Sequence, residues 1–355
     1  MRYLAKFKKK RRDDRLHKTW YNNDLRFVGH IDLPELTTEE MAQIQKAWTC
    51  FDWKKEDFLA YRAYKKFRGF SPYYVGGYQS SFIWKALNPR ELSSSLSNKA
   101  YMDFIFPEVP FPKTFVRGIT GNMYDADMNF LTLDEAVGIL ASQPEFIIKP
   151  SVIRSYGDGV MKMTAAKDYA PNTDKIKDAL MNAGPNFVVQ EVLHQHPVMA
   201  ELNPSSVNSC RITSLYIDGR YGFSVGLRIG KQGSYIDNWR QGYYIGVSET
   251  GVINDFGYDI KMNPIRETDT HIAFGGIQIP GFDKMAALVE YVHKKYFPMC
   301  GVIGWDMMAG SDGEPHIIEF NLRPDFFAEQ IGSGAFFEPY CDAICEKIES
   351  MNDTK

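Results

Sequence analysis

The stretch GWDMMAGSDGEPHIIEFNLRP, residues 304–324, constrains this chain more than any other. It reads as two apolar strands joined by a turn, yet Asp306, Glu319 and Asn321 interrupt them. Asp-Gly between strand-like runs is the strongest short hairpin signal, because a mirrored two-residue turn needs positive φ at both central positions. With Asp312 and Gly313 as those residues, Ser311 faces Glu314, Met308 faces Ile317 and Asp306 faces Glu319. Directly opposed residues in an antiparallel pair lie about 5 Å apart at Cβ. Asn321, two residues beyond Glu319, leaves the same face. Two carboxylates that close repel unless something positive sits between them. Hard oxygen donors of this kind suit Mg²⁺. The plainer alternative is a solvated polar strand face that Asn321 merely ends. Pro315 also marks the second strand as an edge or an irregular start.

The bulk of the chain is that of an ordinary globular protein. Its 355 residues are long enough for two or three subdomains, and a net charge of −3 gives no reason to expect a nucleic-acid partner. No apolar run approaches the roughly 18–20 residues that span a bilayer. The basic N-terminal residues lead into no apolar segment, so no signal peptide is expected. The five cysteines, Cys50, Cys210, Cys300, Cys341 and Cys345, are scattered and never spaced CxxC. That argues against a disulfide framework and a zinc site, and for a reducing, cytoplasmic setting. Cys341 and Cys345 are one helical turn apart, which puts them on one buried face. KFKKKRRDDR, residues 6–15, is a basic run in a slightly acidic chain. It reads as a solvated helix face or as weak contact with an anionic membrane surface.

Residues 1–97 look mainly helical. LTTEEMAQIQKAW begins with Thr37 or Thr38 as N-cap and glutamates in the first turn. From about residue 130 helices and strands alternate: LTLDEAVGILAS as helix, EFIIKPS as strand, RSYGDGV as glycine loop, PNTDKIKDALMNAG as a helix stopped by Gly184, and NFVVQEVL as strand. After Pro197 the chain is strand-rich, with Asp218-Gly219 as a second hairpin signal. FDKMAALVEYVHKKYF is an amphipathic helix leading into the 304–324 hairpin. This order points to α+β packing, antiparallel sheets with helices on one face.

Lys149 sits inside an apolar strand, where it must find a partner or bear a heavy desolvation penalty. Ser155, Gly157 and Gly159 follow in a loop whose backbone N–H groups can approach a phosphate closely. It is neither a Walker A motif nor a GxGxxG opening a helix. The strand FVVQEVL runs out at Gln190, Glu191 and Leu193. There, backbone groups can meet a purine edge while Val192 and Leu193 flank the ring. His194 and His196 flank a turn and read as loop polar groups.

Strand lysine, glycine loop, apolar strand ending in Gln-Glu, then an Asp and a Glu-x-Asn on paired strands: in this order the features of residues 98–335 resemble the ATP-grasp superfamily. SNKAYMDFIFPEVPFPKT resembles that family's D-K…P-x-P segment, with Asn98 where Asp is usual. HPVMAELNPSSVNSCRIT and DNWRQG followed by TG resemble, more narrowly, its sugar-transfer and polysaccharide-associated members. The resemblance implies two α+β subdomains clasping ATP, residues 98–195 and 196–355, behind a helical region of residues 1–97. Lys99 and Lys149 would neutralise phosphates beneath a lid of residues 155–159. Main-chain groups of Gln190 and Leu193 would read adenine beside Glu191, and Glu201 would take the ribose. Asp306, Glu319 and Asn321 would hold Mg²⁺. Arg211, with Lys149, would stabilise the transferred phosphoryl group, while Asn208, Asn238, Arg240 and Arg323 would face the acceptor.

The activity implied is an ADP-forming ligation through an acylphosphate. A carboxylate takes the γ-phosphoryl group of ATP, and an amine, or else a hydroxyl or thiol, displaces phosphate. The substrate class implied is a sugar or polysaccharide precursor joined to an amino acid or similar acid. Two other readings stay open: a small-molecule kinase on the same fold, and a nucleotide-binding regulatory or scaffold protein without turnover. The N-terminal region would shape the acceptor site, bind a partner transferase, or rest on a membrane.

Overall fold

The computed structural model describes residues 2–353 except residues 90, 92–95, 153–158, 171, 238 and 240; of residues 2–13, 352 and 353 only the backbone is described. The chain opens with helices α1 (Arg2–Val28), α2 (Thr38–Ala47), α3 (Leu59–Arg68) and α4 (Gly77–Leu87). The start of α2 follows from its sequence. Thr37 accepts from the Glu40 N–H, and the Glu40 carboxylate accepts from the Thr37 N–H in return. A short helix, α5 (Met102–Ile105), stands before the prolines and leads into the first sheet.

That sheet contains β1 (Thr114–Ile119), β2 (Asn122–Tyr124), β3 (Phe130–Leu131), β4 (Glu145–Pro150), β5 (Met161–Thr164) and β6 (Phe187–Gln190). Its order is β3-β2-β1-β6-β4-β5, antiparallel throughout. Helices α6 (Leu133–Ala141) and α7 (Asp174–Asn182) cover one face, burying Phe146, Ile148 and Val189 against Val137, Leu140 and Leu180. Thr132 and Glu135 close a second reciprocal cap at the start of α6.

After α8 (Pro197–Leu202) comes the larger sheet: β7 (Cys210–Ile217), β8 (Arg220–Ile229), β9 (Tyr243–Val247), β10 (Ile253–Asp259), β11 (Pro264–Ile265), β12 (Val302–Ala309) and β13 (Pro315–Asn321). Its order is β11-β10-β9-β8-β7-β12-β13, again all antiparallel. Alternation sends Ile212, Leu227, Trp305 and Phe320 to one face, where α9 (Phe282–Tyr296) packs through Met285 and Val289. The opposite face carries Arg211 and Asp306, and with them the apolar Leu215, Ile217 and Val302. Beside it lie α10 (Phe327–Ser333) and the N-terminal helices, whose core joins Trp48, Tyr61 and Tyr64 to Phe326, to Phe337 and, on α11 (Cys341–Asp353), to Ile344.

Three expectations need correcting. A disulfide joins Cys50 to Cys345 across 295 residues, so α11 is stapled to the turn after α2, whereas the scattered spacing argued against a disulfide framework. The 304–324 turn is a three-residue loop, not two: Gly310 N–H donates to the Glu314 carbonyl, and only Gly313 has positive φ (80°). Consequently Met308 faces His316, not Ile317. Among the described residues, no helix is long and apolar enough to cross a membrane.

Candidate functional site

Paired regularly from that three-residue loop, Asp306 would face Ile318 and Glu319 would turn into the core. The strand instead inserts Ile318 as a bulge between Asp306↔Glu319 and Met307↔Ile317. Ile317 and Phe320 are therefore both buried on the α9 side, while Ile318, Glu319 and Asn321 line a cavity on the other. The expected pairing of Asp306 with Glu319 thus holds, and Asn321 pairs with Gly304 next to it.

The cavity, of about 670 Å³, lies between the two sheets and is large enough for a nucleotide and part of a second substrate. On its floor Asp306 is gripped by Arg211 Nε at 2.5 Å and by Arg228 Nη2 at 2.7 Å. Burial works to raise the Asp306 pKa, but the two guanidinium groups outweigh it and hold the carboxyl at about 2. Glu319 accepts from Lys99 Nζ at 3.0 Å. Burial and Asp306 raise its pKa while Lys99 and Lys149 lower it, and the net direction is down. Both carboxylates are ionised, and with the Asn321 amide they form a hard oxygen set that fits Mg²⁺.

The first sheet supplies the opposite wall. Lys149, on β4, is nine-tenths buried and has no carboxylate within ion-pair distance among the described residues. Burial chiefly lowers it to about 8, while Glu319 raises it and Lys99 lowers it. Lys99 is shifted upward, first by Glu319. Its segment is fixed from both ends. The Lys99 N–H donates to the Ser151 carbonyl at 2.9 Å, and buried Arg117 forks onto Asp103 at 2.7 and 2.9 Å. Asn98 accepts from the Ala100 N–H.

Glu191 and Leu193 line the cavity, and Glu191 also accepts from the Lys113 N–H. Gln190 is buried within the sheet, with its side chain donating to Pro112 O and Thr114 Oγ1. Gly159 has φ of +82°. Arg323 lines the cavity and is exposed. Two candidates point elsewhere. Glu201 is exposed on α8 and outside the lining, and Asn208 turns inward to the Met199 and Asn203 carbonyls. Ser155, Gly157, Asn238 and Arg240 lie outside the described residues.

Several cavity residues escaped sequence reasoning. Arg228 is the chief one, though a signal existed: from the Asp218-Gly219 turn, Arg211 pairs with Gly226, and Arg228 two residues on shares that face. Asp237 is the second; it accepts from the Ser209 N–H at 3.0 Å and lies 4.0 Å from Arg228. Trp239, Tyr244 and Asp325 also line the cavity, with no local pattern announcing them.

This geometry agrees with a family match. Residues 78–346 match the sugar-transfer associated ATP-grasp family. The chain belongs to that family, and so to the ATP-grasp enzymes. No curated protein matches it. Among solved structures it is similar to D-alanyl-alanine synthetase A from Vibrio cholerae, at 12% identity and TM-score 0.43 over 74% of this chain and 66% of that one. It is similar to D-cycloserine synthetase, at 16% identity and TM-score 0.44 over 78% and 82%. An L-amino acid ligase from Bacillus licheniformis matches at 13% and TM-score 0.37 over 64% of this chain, which spans 41% of that protein's length.

Proposed function

We propose that the protein is an ATP- and Mg²⁺-dependent ligase that joins a carboxylate to an amine through an acylphosphate and releases ADP. One observation carries the reading. Two ionised carboxylates and an amide converge on one cavity face, opposite a buried lysine that no carboxylate pairs among the described residues. In this reading residues 98–195 and 196–355 are the two clasping subdomains. The family's link to sugar transfer supports a sugar or polysaccharide precursor as one substrate, and ATP use supports a cytoplasmic site of action.

Lys149 and Lys99 bind the phosphates, and an anion beside Lys149 restores its full charge. Mg²⁺, held by Asp306, Glu319 and Asn321, would neutralise charge between phosphate oxygens. Arg211 and Arg228, on neighbouring strands, lie where charge builds as the γ-phosphoryl group passes to the donor carboxylate. Val192 and Leu193 offer apolar walls to the base. Holding the reactants in line and away from water is the protein's main contribution, since phosphoryl transfer needs little covalent help.

Calorimetric titration of ATP with and without Mg²⁺ tests this. Glu319→Gln is expected to lower Mg²⁺-dependent affinity at least about tenfold while the chain stays folded. Unchanged affinity in that variant removes the metal assignment.

A further inference from the structure

Part of the cavity wall, at Pro324, Asp325, Trp239 and Tyr244, has no role in the nucleotide reading. Gly304 permits it: a Cβ there would lie 2.7 Å from Pro324 Cβ and 3.4 Å from Arg211 Nη1. Pro324 therefore presses against β12, and Asp325 follows it into the cavity lining. Asp325 is exposed. Its Oδ1 accepts from the Phe327 N–H at 2.8 Å, and no basic side chain pairs with it among the described residues.

Asp24 of α1 stands close by. It is 8% exposed and has no hydrogen-bond or ion-pair partner among the described residues. Burial, then the charges of Asp325 and Asp57, push it up to about 8. Two rings complete the wall. Trp239 stacks on Phe27 of α1 with centroids 5.4 Å apart and meets Tyr244 edge-on at 6.3 Å. Tyr244 is 4% exposed, lines the cavity, and its hydroxyl has no partner among the described residues.

An open carboxylate with a second carboxyl behind it calls for a cation: Arg211 and Arg228 are committed to Asp306, and Arg323, which also lines the cavity, is not within ion-pair distance of Asp325. Aromatic faces favour an organic cation over a hydrated metal ion. An unpartnered hydroxyl calls for a polar ligand.

We propose that this wall is the acceptor subsite, where Asp325 receives the ammonium group of an amine acceptor and α1 contributes Asp24 and Phe27. The inference rests on the ligase reading. The ammonium passes one proton to Asp325, and the amine lone pair attacks the acyl carbon. The C–N bond forms as the C–O bond to phosphorus breaks. Phosphate leaves with the amine's second proton as HPO₄²⁻, and Asp325 returns its proton to solvent. Asp24 acts through Asp325 and positions it.

The test titrates the full chain, loaded with Mg²⁺ and AMP-PNP, with D-glucosamine and ethanolamine against D-glucose and ethylene glycol, read by ligand-observed NMR. Amines are expected to bind about tenfold tighter than their hydroxyl counterparts. Asp325→Asn removes that preference, Asp325→Glu keeps part of it, and Asp24→Asn narrows it several-fold, all with unchanged AMP-PNP affinity. No amine preference in the wild type, or the same preference in Asp325→Asn, overturns the inference and leaves the ligase reading standing. Failure of AMP-PNP to bind the wild type instead defeats the ligase reading and the inference together.

Discussion

The same dipeptide, Asp-Gly, closes two hairpins of the large sheet in different ways. Between β7 and β8, Asp218 and Gly219 have φ of 51° and 77°, the two-residue mirrored turn, and eight pairs follow in unbroken register. Between β12 and β13, Asp312 stays at negative φ, the loop takes a third residue, and a bulge at Ile318 absorbs the difference. Hydrogen-bond and ion-pair partners account for the contrast. Asp218 reaches out to Lys347 at 2.9 Å and leaves its own turn free. Asp312 accepts from the Glu314 N–H at 3.0 Å, and Ser311 is tied to the His194 carbonyl. A turn signal therefore says that a hairpin exists more securely than it says which residues face each other.

The sharpest break of this comparison is a deletion in each second strand. Removing Ser224 from the regular β8 flips Arg228 toward the core, and a loss of at least about 3 kcal/mol is expected in denaturant unfolding. Removing Ile318 leaves Asp306 opposite Glu319 in a straightened ladder. It is expected to cost about 1–2 kcal/mol and to keep Mg²⁺-dependent nucleotide binding. Equal losses would mean that Ile318 is not an insertion.

Charge separates the two hairpins next. Burial pushes Glu329, bonded to Thr213 of β7, up to about 8 from 4.5. Between those values the folded chain holds a proton that the unfolded chain has released, so stability falls as pH rises through that window. Glu329→Gln is expected to remove this slope, with its gain largest at pH 8 and absent near pH 4. Asp306, held at about 2 against 3.8, behaves oppositely: its contribution is complete above pH 4 and is lost as pH falls toward 2. Unfolding curves at stepped pH check both signs.

The smallest effect is a change of sign at the turns. Asp218→Gly relieves a left-handed aspartate and is expected to stabilise by about 0.5 kcal/mol, net of an exposed ion pair. Asp312→Gly frees the unfolded chain and loses the bond to Glu314, and is expected to destabilise by about 1 kcal/mol. Two gains, or two losses, would erase the distinction between the turns.

Much of the molecule is local and could be read along the chain. Both reciprocal helix caps, the amphipathic α9, both hairpins and the α+β class follow from patterns within a dozen residues. So does the pairing of Asp306 with Glu319, although the count reached it through a two-residue turn that the protein does not use. The extra loop residue on one strand and the bulge on the other cancel. Arg228 was within reach of the same arithmetic from Asp218-Gly219. Glu201 and Asn208 were assigned from their place in a motif, and only packing shows that one faces outward and the other braces a loop.

By itself, then, the sequence determined the elements, their alternation and the chemical type of the central oxygen donors, because capping, turn and period-two signals act between near neighbours. The tertiary structure alone decided the bulge at Ile318, the Cys50–Cys345 bridge, and the meeting of Asp24 and Phe27 with Asp325 and Trp239. Those contacts join residues from distant parts of the chain. They exist only when whole faces are buried against each other, a condition that no local pattern records.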